Sequence, residues 1–162
     1  MDLADGKLDP AAALAFVSDP KFGGITMFVG RVRDLNHGRH VTGISYDMFV
    51  PLALNGFAEI AAKAERDFGG KLKLYIGHAK GRLGLGDLAM VVAAGTPHRD
   101  EAFRACRQVV EAVKHTSPIW KQEHYVDGDS AWSEGCSLCG DAHDHVGVGD
   151  HASHDHAGHD HT

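Results

Sequence analysis

No lysine or arginine follows Lys121, so the last 41 residues (162 − 121) carry no permanent cation. All 16 Lys and Arg lie at or before that point, whereas five of the 22 acids, Asp141, Asp144, Asp150, Asp155 and Asp160, lie in the C-terminal stretch. Up to Gly140 the balance is 16 − 17 = −1, although the whole chain carries −6. A near-neutral body excludes the broad basic face of a duplex-binding protein and leaves its cations to gather locally. Three cysteines cannot build a disulfide framework. No apolar run approaches the ~20 residues that span a bilayer. Met1-Asp2-Leu3-Ala4-Asp5-Gly6 is acidic and lacks the basic-then-apolar pattern of a signal peptide, so a cytoplasmic location is expected. The length and the ordinary apolar fraction, 43%, suit one domain with a sizeable core.

What is present reads as alternating helices and strand pairs. Asp9-Pro10 has the form of an N-cap followed by proline at the first helical position, opening a short helix to Val17. Ile25 to Val29 is a β-branched and aromatic run that continues towards Asp34, and Asn36 to His40 is a polar turn. Val41 to Val50 alternates as a second, antiparallel strand. Pro51 starts a long helix to about Phe68, with Leu52, Phe57, Ile60, Ala61 and Ala64 as its apolar face and Gly69-Gly70 as its end. Leu72 to His78 reads as a strand, Gly81 to Asp87 as a glycine-rich connection, and Leu88 to Ala94 as a strand covered on both faces. A helix from Thr96-Pro97 to His115 and a strand from Ile119 to Val126 complete the order α, β, β, α, β, β, α, β. That order predicts an α+β fold, an antiparallel or mixed sheet covered by helices. The glycine-rich stretch lacks the spacing and the following helix of a phosphate-cradling loop.

Two constellations carry chemistry. Pro118 ends a helix, because proline has no N–H and disfavours helical geometry in the residue before it. Lys114 therefore sits in a last helical turn and Lys121 in the extended segment beyond. Two amines across a rigid corner suit an anionic substrate; read structurally, Lys114 complements the helix dipole and Lys121 is a solvated strand residue. At the other end of the same helix, His98 and Arg99 oppose the dipole, which suits residues retained for an anion that the free N–H groups of that turn would also bind. Solvated surface positions are the structural alternative. Cys106, in a helical pattern, reads as a small buried hydrophobe.

Read in order, four segments between Gly23 and Gly135 resemble the large, catalytic subunit of molybdopterin synthase. They are Gly30-Arg31-Val32-Arg33, Tyr46 with its following helix, Pro97-His98-Arg99-Asp100 with Ala102-Phe103, and Lys114-x3-Pro118-Ile119-Trp120-Lys121-x-Glu123. The resemblance implies a sulfurtransferase with an α/β-hammerhead-like fold. Such an enzyme takes sulfur from a small ubiquitin-like partner whose C-terminal Gly-Gly ends as a thiocarboxylate. It inserts two sulfurs into cyclic pyranopterin monophosphate to form the molybdopterin dithiolene. A homodimer within a heterotetramer is implied, with no metal or organic cofactor in the transfer. By the same resemblance Lys114 and Lys121 are catalytic, and Arg33, His98, Arg99, Lys114 and Lys121 bind the substrate. Glu123 is a candidate for orienting Lys121, and Trp120 and Phe28 are pocket wall or core. No cysteine matches a catalytic position. The segment from Asp127 to Gly135 carries one residue more than the common form, and any family contact made by a basic residue after Lys121 is absent here.

Beyond Glu134 the composition changes to Cys136, Cys139 and seven histidines among Asp, Gly and Ala. With almost no large apolar residue this stretch cannot bury a core and is expected to be disordered, which places the domain at residues 1–135 and the tail at 136–162. Cys136, Cys139, His143 and His145 could supply four ligands to one Zn or Ni ion, although the spacing differs from the common two-Cys, two-His finger. A solubilising low-complexity tail is the plain reading. The alternative function is therefore a metal-handling protein that works through this tail on an inactive scaffold.

Overall fold

A computed structural model describes residues 2–5 and 7–132 of the chain. Its elements are β1 (Asp2–Asp5), α1 (Pro10–Val17), β2 (Gly24–Arg31), β3 (Leu35–Asn36), β4 (Arg39–Met48), α2 (Val50–Asp67), β5 (Lys73–Gly84), β6 (Leu88–Thr96), α3 (Arg99–Thr116), β7 (Ile119–Tyr125) and β8 (Ser130–Trp132). The α+β reading holds, and the expected order of three helices and five main strands is present with β1, β3 and β8 added. Along the sheet the strands run β2-β6-β5-β4-β7-β8, all antiparallel, while β1 joins β5 in parallel and makes the sheet mixed. Among the described residues no helix is long and apolar enough to cross a membrane.

The local signals explain most boundaries. The Asp9 carboxylate accepts the Ala11 N–H at 2.8 Å, capping α1 ahead of Pro10. Strand β6 is buried over nearly its whole length because helices and neighbouring strands cover both faces, as its unbroken apolar run requires. Helix α3 turns Ala102, Ala105, Cys106, Val109, Val110 and Val113 inward, at the spacing of one helical face. One apolar assignment fails: Leu52 is 52% exposed. In α2 the buried positions are Ala53, Phe57 and Ala64, so Leu52 lies a step off that stripe.

Strand β5 corrects the reading of residues 81–84 as a connection. Its first half, Lys73 to His78, pairs with β6, and its last four residues, Gly81 to Gly84, pair with β4. One strand thus passes from the half of the sheet that carries α1 and α3 to the half that carries β7. Glycine suggests a turn from local propensity, but here the hydrogen bonds of β4 and the burial of Leu83 override it.

Two close approaches aim the functional segments. His37 and Gly38, both with positive φ, form the two-residue turn between β3 and β4, a geometry that matches the natural strand twist and sets Asn36 opposite Arg39. At the far end of the sheet, Gly24 lies against the first turn of α3. A Cβ there would stand 2.8 Å from the Arg99 Cα, so only glycine lets helix and strand meet so closely.

Candidate active site

Helix α3 ends at Thr116 and β7 begins at Ile119, so only Ser117 and Pro118 separate them. The corner is tight: the Ser117 N–H donates to the Val113 carbonyl and the Ile119 N–H to the Ser117 carbonyl at 2.8 Å. The Ser117 hydroxyl is buried in this corner with no hydrogen-bonding partner among the described residues. Lys114, in the last helical turn, is half-buried, and Lys121 is the third residue of β7. Both amines therefore hang from the same rigid bend.

Lys121 does not stand as a solvated strand lysine. Its Nζ lies 2.8 Å from Glu123 Oε1, and its side chain is 20% exposed against 7% for the acid. Glu123 is the hub of a buried polar chain. Asn36 Nδ2 donates to both its oxygens, at 2.8 and 2.9 Å, and the Tyr125 hydroxyl donates to Oε2 at 2.7 Å. Arg33 Nη2 in turn donates to Asn36 Oδ1 at 2.6 Å. Arg39 stacks its guanidinium 3.6 Å from the centre of the Tyr125 ring and bonds Asp127 and Asp129, fixing the ring from its other side. Burial alone would raise the Glu123 pKa. The hydrogen bonds from Lys121, Tyr125 and Asn36 outweigh it and hold the carboxyl down at about 2, so Glu123 is charged at every physiological pH. Tyr46 sits opposite Lys121 on β4, its ring edge-on to His78 with centroids 4.7 Å apart. Burial and the Glu123 charge push its hydroxyl up to about 12, so it stays protonated.

His98 and Arg99 lie elsewhere. His98 is the N-cap residue of α3 but makes no side-chain cap bond, and both side chains are exposed. Arg99 and Lys114 stand fifteen helical steps apart (114 − 99), about 22 Å at 1.5 Å per residue. Helix α3 runs in the same direction as β2: Arg99 abuts Gly24, and Cys106 contacts the carbonyl of Val92, which is opposite Phe28. Arg33, two residues past the end of β2, therefore belongs to the Lys121 end. Within one chain the structure brings Arg33, Lys114 and Lys121 to one end of the molecule and leaves His98 and Arg99 at the other.

The remaining candidates separate cleanly. Phe28 is partly buried against the core, whereas Trp120 is 49% exposed and faces away from Lys121 across the pleat. Cys106 is buried, and burial pushes its thiol up to about 11, so it is protonated and shielded. Cys136, Cys139, His143 and His145 lie outside the described residues. Among the described residues no group of three His, Cys, Asp or Glu is placed to hold a metal ion.

Residues 3–116 match the family described as MoaE protein. The chain belongs to the MoaE family. It is 45% identical over 139 residues to the molybdopterin synthase catalytic subunit of Synechococcus elongatus, covering 86% of this chain and 84% of that relative. The catalytic subunit from a Nostoc species is 39% identical over 118 residues, covering 73% and 72%. Among solved structures, molybdopterin synthase from Staphylococcus aureus matches with a TM-score of 0.76 at 27% identity, over 81% of this chain and 93% of that one. This MoaE chain thus falls among the catalytic subunits of an enzyme of molybdopterin biosynthesis, on the fold expected for them. Sequence reasoning did not single out Asn36, which the structure places between Arg33 and Glu123. The available signal was its place three residues after Arg33, in a turn whose partner acid is 87 positions away (123 − 36).

Proposed function

We propose that this protein is the sulfur-transferring catalytic subunit of a molybdopterin synthase. It moves sulfur from the thiocarboxylated C-terminal glycine of a small ubiquitin-like subunit onto cyclic pyranopterin monophosphate, twice, to make the dithiolene. The observation that carries this reading is the corner of α3 and β7, which presents Lys114 and a Glu123-anchored Lys121 from one rigid bend. Lys114 stabilises the negative charge that develops as sulfur adds to the pterin side chain, and moves a proton there. Lys121 is the second electrostatic contact, and Arg33 grips the cyclic phosphate with the planar donor geometry of a guanidinium. The transfer needs no metal or organic cofactor; Zn or Ni bound by the tail would lie outside the chemistry.

His98 and Arg99 join this site from a second copy of the chain. The length of α3 denies them access to their own Lys114, and the parallel run of β2 and α3 makes a two-fold arrangement productive. If the edges of β2 in two copies face each other antiparallel, the Gly24 end of one lies beside the Arg31 end of the other, which delivers His98 and Arg99 to the partner's lysines. Among the described residues β2 ends the sheet on one side, and exposed Ile25, Val29 and Phe103 line it and the neighbouring helix. The homodimer is then part of the active site as well as of the assembly.

The test is single-turnover conversion of cyclic pyranopterin monophosphate to molybdopterin, with thiocarboxylated small subunit and either wild type or Lys114→Ala. Wild type converts, and the variant loses at least ~100-fold, the size expected when a positioned acid-base or electrostatic group is removed. A wild-type protein inert with a competent small subunit overturns the reading.

A further inference from the structure

We infer that Asn36 is a positioning residue, which sets the spacing between Arg33 and Lys121 by holding Arg33 directly and Lys121 through the Glu123 carboxylate. The inference rests on the reading of those two cations as substrate contacts. Asn36 is 8% exposed and sits on the short strand β3, while its partners come from β7 and from the loop after β2. Arg33 and Lys121 are 88 positions apart in sequence (121 − 33) and belong to segments that no strand pairing joins directly. The bonds Arg33–Asn36–Glu123–Lys121 connect them.

The chain needs an amide at its centre. Arg33 offers a donor and Glu123 offers only acceptors, so the residue between them must accept on one side and donate on the other. An aspartate would set carboxylate against carboxylate. A leucine would remove a partner from both neighbours and leave two oxygens of a buried acid short of donors. The amide also distributes charge. Glu123 meets Lys121 directly, at 2.8 Å, and Asn36, a neutral group, links it to Arg33. The carboxylate therefore compensates Lys121 first, while the neutral amide carries the tie on to Arg33.

The experiment uses full-length protein with thiocarboxylated small subunit in single-turnover conversion of cyclic pyranopterin monophosphate. Four forms are compared: wild type, Asn36→Leu, Lys121→Ala and the double variant, each also followed by thermal unfolding. Asn36→Asp is made in parallel as a near-isosteric form that keeps the volume, loses the donor and sets a second carboxylate against Glu123. The expected result is a loss of about 10- to 100-fold in Asn36→Leu, felt mainly as a higher half-saturating substrate concentration, as displacement of a binding group by about an ångström produces. Adding Asn36→Leu to Lys121→Ala should cost at most about 3-fold more, because the clamp then has one cation fewer to hold. The acid side of the pH profile of Asn36→Leu should move up, since Glu123 has lost two of its hydrogen bonds; Asn36→Asp should move it the same way. A purely structural tie would instead lower the melting temperature and cost the same factor in both backgrounds, with an unmoved pH profile. That additive outcome, or wild-type turnover in Asn36→Leu and Asn36→Asp, overturns the inference alone. Inert wild type overturns it together with the functional reading.

Discussion

Gly24 and Arg99 meet backbone to backbone, with space for a hydrogen atom and none for a methyl group: the nearest approach of an added Cβ would be 2.8 Å from the Arg99 Cα. The first turn of α3 is carried on that contact, and His98 and Arg99 with it. Gly24→Ala should push the turn outward by a few tenths of an ångström or more, at a stability cost of about 1–3 kcal/mol for overpacking. Substrate affinity should weaken while the chemistry of bound substrate changes little. Urea unfolding and the substrate dependence of single-turnover rates measure the two effects. Unchanged affinity in a destabilised variant would detach the turn from substrate binding.

Because His98 and Arg99 cannot reach their own Lys114, two defective chains should repair each other. Lys114→Ala and Arg99→Ala are each expected to lose most activity alone. Mixed by co-expression, they should form heterodimers in which one of the two sites carries both wild-type groups. Co-purified mixed dimers should recover about half the wild-type rate per heterodimer, since one of two equivalent sites is intact. Recovery no greater than the sum of the two parents would place every contributing residue within a single chain.

Acid should weaken the fold through His78. This side chain is buried beside Tyr46, its Nδ1 2.7 Å from the Ala79 carbonyl, and burial pushes its pKa down to about 4 from an ordinary 6.5. The unfolded chain then binds a proton that the native chain refuses. Stability is complete above pH 6.5 and falls as the pH drops from there towards 4, by a few kcal/mol at most. Glu123 adds its own loss only lower, between its ordinary value of 4.5 and about 2. His78→Asn can keep a donor for the Ala79 carbonyl and cannot titrate. Its urea midpoint should vary less between pH 7 and pH 5 than that of wild type, and an equal slope in both proteins would exonerate His78.

Deleting residues 136–162 should leave the sulfur-transfer rate within about 2-fold of the full chain, because Lys114, Lys121 and the clamp on Glu123 all lie before residue 133. The same deletion should abolish most Zn or Ni uptake measured by equilibrium dialysis. Loss of sulfur transfer on truncation would give the tail a catalytic part.

Much of the fold is legible in the amino-acid order because its signals are local. Asp9-Pro10 announces α1, Pro118 ends α3, and the unbroken apolar run of β6 records that it has no solvent face. What escapes is set by distant partners. Gly81 to Gly84 has the composition of a turn and becomes strand only because β4 offers hydrogen bonds. The lysine corner is visible in the spacing around Pro118, yet the acid that pins Lys121 gains its meaning from Asn36, across the sheet. Within one chain His98 and Arg99 stand apart from Lys114 for a geometrical reason: a straight α3 converts 15 helical steps (114 − 99) into about 22 Å.

Strand β7 reaches its place only by lying along β4, with Lys121 opposite Tyr46, a span of 75 positions (121 − 46). A contact closed over so long a loop is entropically late, and pairings of this kind slow folding. Helix α3 can form early beside the β5–β6 hairpin, carrying Lys114, while Lys121 waits for the final strand to dock. A newly made chain should pass through a state that already holds most of its helix and half of its sheet but is chemically mute, and the ability to bind substrate should arrive in the last kinetic phase.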